Sequence, residues 1–445
     1  MANKPQGSFK VMSLGIQHVL AMYAGAIIVP LIVGGALKLS AEELSYLISI
    51  DLLTCGLATL LQVWKNRFFG IGLPVMLGCT FTAVAPIIAI GSQYGMSAIY
   101  GSIIAAGLFL VLFAKFFGKI VRLFPPVVTG SVVMIIGITL IPVAIKDMAG
   151  GQGSEDFGSL HNLLLSFGVL ALIIVIQRLF SGFIRAVSIL LGLIVGTVVA
   201  YFMGMVDLAP LAESSWLHMV QPFYFGVPTF QISAILTMIL VAIVGVIEAT
   251  GVYMALGKIC GRELTPKDLE KGYRAEGLAF MLGGLFNALP YTTFSQNVGL
   301  VELSGVKKRN VIVTAGLILV TLGLVPKVAA FAMLIPTPVM GGATMAMFGM
   351  VAASGVKMLS NVDFNRQENL LVIACSIGLG LGVTVVPDLF AKLPDGVQIL
   401  TNNGIVAGSF TAILLNVVFN AKWKKTAVEE KSTSTYKERN VRAQA

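Results

Sequence analysis

Long apolar runs follow one another along most of this chain, separated by short polar turns. A helix needs about 20 predominantly apolar residues to cross a hydrocarbon layer about 30 Å thick. Such segments lie near residues 13–34, 43–64, 71–91, 97–117, 125–145, 162–177, 186–205, 232–257, 274–289, 291–304, 310–326, 331–355, 369–387 and 404–421. That makes fourteen, although several are too short, or too rich in Gly and Pro, to cross as plain helices. They fall into two runs of seven, 13–205 and 232–421. Around them lie a polar N-terminal segment (1–12), a loop (206–231) and a tail (422–445) that mixes Lys, Glu, Ser and Thr and reads as disordered. The expected fold is an all-α polytopic membrane protein.

Composition removes the alternatives. Hydrophobic residues make up 57% of the 445 positions and charged residues 11%, against about 45–50% and about 25% in ordinary globular chains. A soluble enzyme, a disordered chain and a nucleic-acid binder are all disfavoured. The net charge of +9 reflects residues that orient the spans rather than a nucleic-acid face. With the N-terminus inside and the spans alternating, all but four of the 30 Lys and Arg fall on the inner side, the four being Lys38, Lys146, Lys327 and Lys392. That bias places both termini in the cytoplasm and the loops 150–162 and 206–230 outside. The four cysteines, Cys55, Cys79, Cys260 and Cys375, show no CxxC or metal spacing and read as reduced packing residues.

The two runs resemble each other. Pro126-Val127-Val128-Thr129-Gly130-Ser131, ending at Gly137, matches Pro338-Val339-Met340-Gly341-Gly342-Ala343, ending at Gly349, at an offset of 212. Gly118-Lys119-Ile120 resembles Pro326-Lys327-Val328. Leu73-Pro74 and Leu289-Pro290 open two interrupted segments, spans 3 and 10, at an offset of 216. A duplicated unit with an odd number of spans must enter the membrane upside down, so two inverted seven-span repeats are expected. Interrupted segments at matching positions of such repeats point to a mid-membrane site. Each has a β-like stretch (Leu77 to Thr82; Tyr291 to Ser295) before it turns helical, and the two stretches can pair with each other. Unwound backbone at that depth is tolerable only facing protein or a polar cavity.

Just past the second stretch runs Ser295-Gln296-Asn297-Val298-Gly299-Leu300-Val301-Glu302-Leu303-Ser304-Gly305. It resembles the signature of the nucleobase–ascorbate transporter family: Gln or Glu, Asn, any, Gly, four of any, Thr or Ser, then a basic residue or Gly. Gln17-His18 resembles that family's Gln-His pair, Glu248 its substrate-binding glutamate of the eighth span, and Arg274-Ala275-Glu276-Gly277 its acidic motif opening the ninth. With Gln296 at the first signature position, the pattern is nearest to the bacterial xanthine permeases; members that carry uracil typically have Glu there. The resemblance implies a core domain (spans one to four and eight to eleven) that holds substrate, and a gate domain (five to seven and twelve to fourteen) that dimerises. It also implies proton-coupled uptake by an elevator-like motion in a bacterial plasma membrane.

Each site residue also carries its own chemistry. Gln296 offers an amide donor and acceptor that match an N–H beside a C=O on a purine-dione edge; the plainer reading is a helix-capping Gln. Glu248 lies inside an otherwise apolar span, where a charge costs roughly 2.5–3.5 kcal/mol and marks a functional hypothesis; it can accept a ring N–H. Glu276 is the candidate for proton coupling, though the family more often has Asp there. His18, taken alone, reads as a satisfied core histidine, and the family pair makes it and Gln17 supports of the site. Phe81 and Phe294 are candidates for stacking on a flat base, and Ser295 and Phe81 for backbone contacts to it. Asn297 reads as support for the loop and helix start. Asp51, mid-span, matches no motif: it bonds across helices or joins a proton path. The implied partners are a purine (xanthine, uric acid or a guanine-like base), protons, membrane lipid and a second copy of the chain. No metal or cofactor is implied beyond the coupling proton. Rival readings are a uracil symporter, an anion exchanger of the same fold and a passive channel. No nucleophile–base pair, metal cluster or nucleotide motif supports an enzyme.

Overall fold

A computed structural model describes residues 8–120, 124–216, 220–305, 307–394, 398, 401 and 403–420. The expected tail at 422–445 and the first seven residues lie outside the described residues. The chain is mostly helical. Helices α1 (Ser8–Ala36) and α2 (Ala41–Val63) lead to strand β1 (Leu77–Cys79), a 3-10 turn (Phe81–Ala83) and the short α3 (Val84–Tyr94). Then come α4 (Met96–Ile120), α5 (Pro126–Met148), α6 (Leu160–Leu179), α7 (Gly182–Ala186), α8 (Ser188–Phe202) and α9 (Ala209–Glu213). The second half runs through α10 (Ile232–Cys260), α11 (Pro266–Phe286), β2 (Tyr291–Thr293) and α12 (Gln296–Ser304). It ends with α13 (Arg309–Gly323), α14 (Pro326–Met333), α15 (Thr337–Leu359), α16 (Gln367–Val385) and α17 (Gly404–Asn420).

Local sequence explains several helix boundaries. Ser40 and Glu43 close a capping box at the start of α2, and Thr265 and Asp268 close another at α11, each satisfying amides the helix leaves free. Proline in the first turn opens α5 and α15, where its missing N–H costs nothing. Eight helices are long and apolar enough to cross a membrane, or nine if α13 and α14, bent by 81°, count as one. The remaining apolar helices are shorter, and the apolar segment 331–355 is divided by the break at 334–336 between α14 and α15. The order of long helix, long helix, strand, short helix, then longer helices occurs twice, with β1 and β2 at matching places.

Helices from the two halves pack against each other: α4 on α11, α2 on α13, and α5 on α15. The last pair also gathers α6, α16 and α17. It is close-packed because glycines face backbone. A Cβ on Gly137 would lie 2.7 Å from Ala352 Cα, and one on Gly355 would lie 2.7 Å from Met134 Cα. Such small-residue contacts are how helices approach where lipid supplies no hydrophobic drive. Helices α1, α8, α13 and α14 line an apolar crevice of about 580 Å³, with Tyr23 and Thr197 its polar side chains.

Gly137→Val is expected to force α5 and α15 apart, at a cost of about 1–3 kcal/mol or more. A lowered thermal midpoint of the detergent-solubilised protein, followed by size-exclusion chromatography, measures it; an unchanged midpoint contradicts the packing described.

Candidate functional site

The two interrupted segments meet. β1 and β2 pair antiparallel, with Leu77 opposite Thr293, Gly78 opposite Thr292 and Cys79 opposite Tyr291. Two further bonds extend the ladder, Thr80 N–H to the Pro290 carbonyl at 3.0 Å and Phe294 N–H to the Met76 carbonyl at 2.9 Å. The expected pairing of the two stretches is therefore present. α3 follows the end of β1 through the 3-10 turn, and α12 follows the end of β2. Because the strands are antiparallel, the two helices leave at opposite ends of the ladder, and their positive N-termini flank it.

One carboxylate secures this arrangement. Asp51, fully buried in α2, accepts from the Tyr291 hydroxyl at 2.9 Å and from the Leu289 amide at 3.2 Å on one oxygen. Its other oxygen accepts the Cys79 thiol, with the Cys55 thiol 4.0 Å away. The Tyr291 hydroxyl in turn bonds Thr54. Asp51 thus ties α2 to both strands, so it does bond across elements. All four cysteines are free; Cys55 and Cys79 are buried, while Cys375 is exposed.

α10 lies across β2. The Thr292 hydroxyl is 3.5 Å from the Gly245 carbonyl, and Glu248 sits one turn further along the same helix face. Glu248 is partly exposed and forms no hydrogen bond or ion pair among the described residues. Gln296 begins α12, half-buried, its side-chain oxygen 3.4 Å from the Ser295 hydroxyl. Ser295 is the N-cap residue, without a side-chain cap bond. Asn297 does not cap the helix; its amide donates to the His18 carbonyl and pairs with His18 Nδ1, both at 3.1 Å. That bond joins the Gln-His pair of α1 to the start of α12 and gives His18, which is buried, a positioning task; Gln17 beside it is half-buried. Phe81 is 8% exposed, and its ring meets Phe348 of α15 edge-on at 5.6 Å. Phe294 is 4% exposed. Its ring fills a notch between Gly25 and Gly78, where a Cβ on Gly78 would lie 2.7 Å from it.

Glu276 is buried in α11 and accepts from the Tyr253 hydroxyl of α10 at 2.7 Å. Gln62 of α2 donates to Tyr253 and to the Gly272 carbonyl at 3.1 Å, and accepts from the Ile71 amide at 3.1 Å. The neighbouring Arg274 turns away from Glu276: it pairs with Glu270 at 2.6 Å and lies over the Phe68 ring. Tyr253, the partner of Glu276, stands on the same helix as Glu248. Four buried polar atoms at the strand ends and helix starts have no hydrogen-bond partner among the described residues: the hydroxyls of Thr80, Thr82 and Thr293, and Oδ1 of Asn297. Buried polar groups are normally paired, so these are groups available to a polar ligand. The sequence reading passed over the three threonines, Tyr253 and Gln62, because nothing in their local pattern marks them.

The sequence model of the Permease family matches residues 9–389. The chain belongs to this family, the nucleobase–ascorbate transporters. The permease is 68% identical to the nucleobase transporter PlUacP of Paenibacillus larvae, over 94% of this chain and 96% of the relative. It is 62% identical to the xanthine permease of Bacillus subtilis, over 96% and 97% of the two chains. Identity to the uric acid permease PucK of the same organism is 63%, over 94% and 98%. Among solved structures, the transmembrane domain of a cyanobacterial bicarbonate transporter, BicA, has the same fold at a TM-score of 0.62 and 17% identity, covering 88% of this chain and 98% of that one. The chain is a multi-pass membrane permease and not an enzyme.

Breaking the Asp51 knot is expected to be costly. Asp51→Ala strands the Tyr291 hydroxyl, the Leu289 amide and the Cys79 thiol, at about 1–3 kcal/mol for each buried donor left unpaired. Asp51→Asn keeps an acceptor for Tyr291 and Leu289 and is expected to lose less than half of that. Thermal midpoints of the two variants check the order; both stay at the wild-type value if the carboxylate carries no structural role.

Proposed function

We propose that this chain takes up xanthine or uric acid together with a proton, across a bacterial plasma membrane with both termini cytoplasmic. The observation that carries this reading is the polar, unwound centre: two paired strands flanked by the N-termini of α3 and α12, with Glu248 and Gln296 beside them. A flat purine-dione presents an N–H next to a C=O. The Gln296 amide matches that pair with one acceptor and one donor. Glu248 accepts a further ring N–H, a charge-assisted bond stronger than a neutral one. Phe81 supplies an aromatic face, Ser295 and Phe81 supply backbone groups, and Phe294, seated in its notch, holds its own backbone in place. His18 and Asn297 hold the start of α12, with Gln17 beside them.

In this reading Glu276 carries or senses the proton. Glu276 accepts from Tyr253 of α10, the helix that carries Glu248, and protonating a carboxylate changes what it accepts, so loading the proton and shaping the substrate site are linked. The twofold order of elements supports fourteen spans in two inverted repeats. The ladder supports the inversion as well: Leu77 pairs with Thr293, the residue 216 positions on and so its counterpart at the offset of the two Leu-Pro breaks, as a two-fold axis through the pair requires. In the elevator motion, the bundle holding the site slides against a gate built on α5 and α15, and a gate-to-gate contact forms a homodimer. Two relatives of nearly equal identity, one a xanthine permease and one a uric acid permease, leave both purines as substrates to be compared. An anion transporter is disfavoured because no basic residue stands at the start of α3 or α12.

Radiolabelled xanthine uptake in cells lacking their own purine permeases tests the reading, with uric acid and uracil as competitors. Uptake is expected to fall with a protonophore and to be spared by excess uracil. Glu248→Ala is expected to abolish uptake, and Gln296→Glu to raise the KM for xanthine about 10-fold or more. Normal xanthine uptake by Glu248→Ala sinks the site assignment. Glu276→Gln is expected to keep exchange of labelled for unlabelled purine but to lose accumulation against a gradient; loss of both together removes Glu276 from proton coupling.

A further inference from the structure

A second concavity, of about 370 Å³, lies away from the purine site, on the face that carries the basic loops. Gly72, Leu73, Pro74, Cys260 and Arg262 line one side, and Lys307, Lys308, Arg309 and Asn310 the other. Four cations thus come together from two segments far apart in sequence, the turn after α10 and the turn before α13. Lys65 adds a fifth at the rim, its stem lying against Gly72. Like charges brought this close repel one another.

The local acid does not neutralise them. Asp268 pairs with Arg262 at 2.5 Å and with Lys65 at 3.4 Å. Burial works to raise its carboxyl, but the Thr265 hydrogen bonds, Arg262 and Lys65 outweigh that and hold it below the usual carboxylate range. Arg262 also donates to the Ile71 carbonyl at 3.0 Å, and Arg309 to the Val63 carbonyl at 3.5 Å. These arginines are fixed in place. Lys307 and Lys308 form no hydrogen bond or ion pair among the described residues, so their charge faces the concavity unspent.

The start of α13 adds to the same field. α2 and α11 begin with capping boxes and acids in the first turn. α13 has neither: Lys308 is its N-cap residue, no side chain caps it, and no acid stands in its first turn. Its free amides and positive end open beside the four cations, which is the arrangement by which helix starts hold phosphate.

We propose that this cavity binds a phosphate-bearing anion. The chemistry fits the headgroup of an anionic lipid such as phosphatidylglycerol, as basic pockets on the inner face do, and equally a free phosphate. Bound there, the anion bridges the end of α10 to the turn that follows α12, and so connects the two helices that carry Glu248 and Gln296.

The test uses the purified full chain in neutral detergent, with its thermal midpoint read in mixed micelles of phosphatidylglycerol or, at equal mole fraction, phosphatidylcholine. A parallel arm compares inorganic phosphate with chloride at matched ionic strength. Lys307→Gln/Lys308→Gln removes the two unspent charges, and Lys115→Gln/Lys119→Gln, two exposed lysines of α4, serves as the control; both are first shown to elute as the wild type does. A rise of several degrees with phosphatidylglycerol but not phosphatidylcholine, lost in the 307/308 variant and kept in the control, supports the site with lipid as its source. The same pattern with inorganic phosphate supports it with a soluble anion as the source. No rise with either probe, a rise that survives in the 307/308 variant, or an equal loss in the control overturns it.

Discussion

The centre of this transporter depends on one buried carboxylate. A strand pair three residues long cannot hold itself together, since isolated two-stranded ribbons are marginal even in water. Here the ribbon sits inside the bundle, and Asp51 gathers Tyr291, Leu289 and Cys79 onto two oxygens. An ionised carboxylate is an acceptor only, with about four lone-pair sites, so convergent donors from both strands suit it. Replacing it with an apolar residue leaves those donors with nowhere to turn, because no water competes at that depth. The unwound stretches survive because the third element that packs on them, α2, brings the missing acceptor.

Other polar groups are fixed in the same way around that knot. Asn297 reaches back to His18, so the start of α12 is tied to α1. Tyr253 sits between Gln62 and Glu276, joining α2, α10 and α11 through hydroxyl and amide. The Asn297–His18 and Gln62–Tyr253 bonds each join elements from different halves of the chain. Four buried polar atoms that stay unpaired, on Thr80, Thr82, Thr293 and Asn297, lie where the strands give way to helices. A rigid frame surrounds a small set of uncommitted groups, which is what selective recognition of a flat polar molecule requires.

Much of this was legible in the sequence. The apolar runs named the class, the basic residues suggested an orientation, and the matching Leu-Pro breaks located two stretches that do pair. Glu248, Gln296, His18 and Asn297 gather around that pair, although Asn297 bonds to α1 instead of capping its own helix. What sequence could not give was partnership across long separations. Asp51 lies 238 residues from Leu289 and 240 from Tyr291, and no local spacing records such a meeting. Phe294 has the pattern of a stacking ring, yet the two glycines that receive it, Gly25 and Gly78, are as far apart in the chain as they are close in space. The threonines of the ladder look like ordinary strand residues until their neighbours are known.

The apolar crevice between α1, α8, α13 and α14 bears on movement. Its lining is almost wholly hydrocarbon, with two hydroxyl-bearing side chains among its fifteen. Hydrogen bonds have preferred lengths and angles, so a seam built from them would click between registers and resist displacement. Dispersion contacts are individually weak and have no direction. In the sliding motion proposed above, a seam of that kind would act as a lubricated bearing: each lost contact is replaced by a similar one, while the hydrogen-bonded knot around Asp51 holds the centre together.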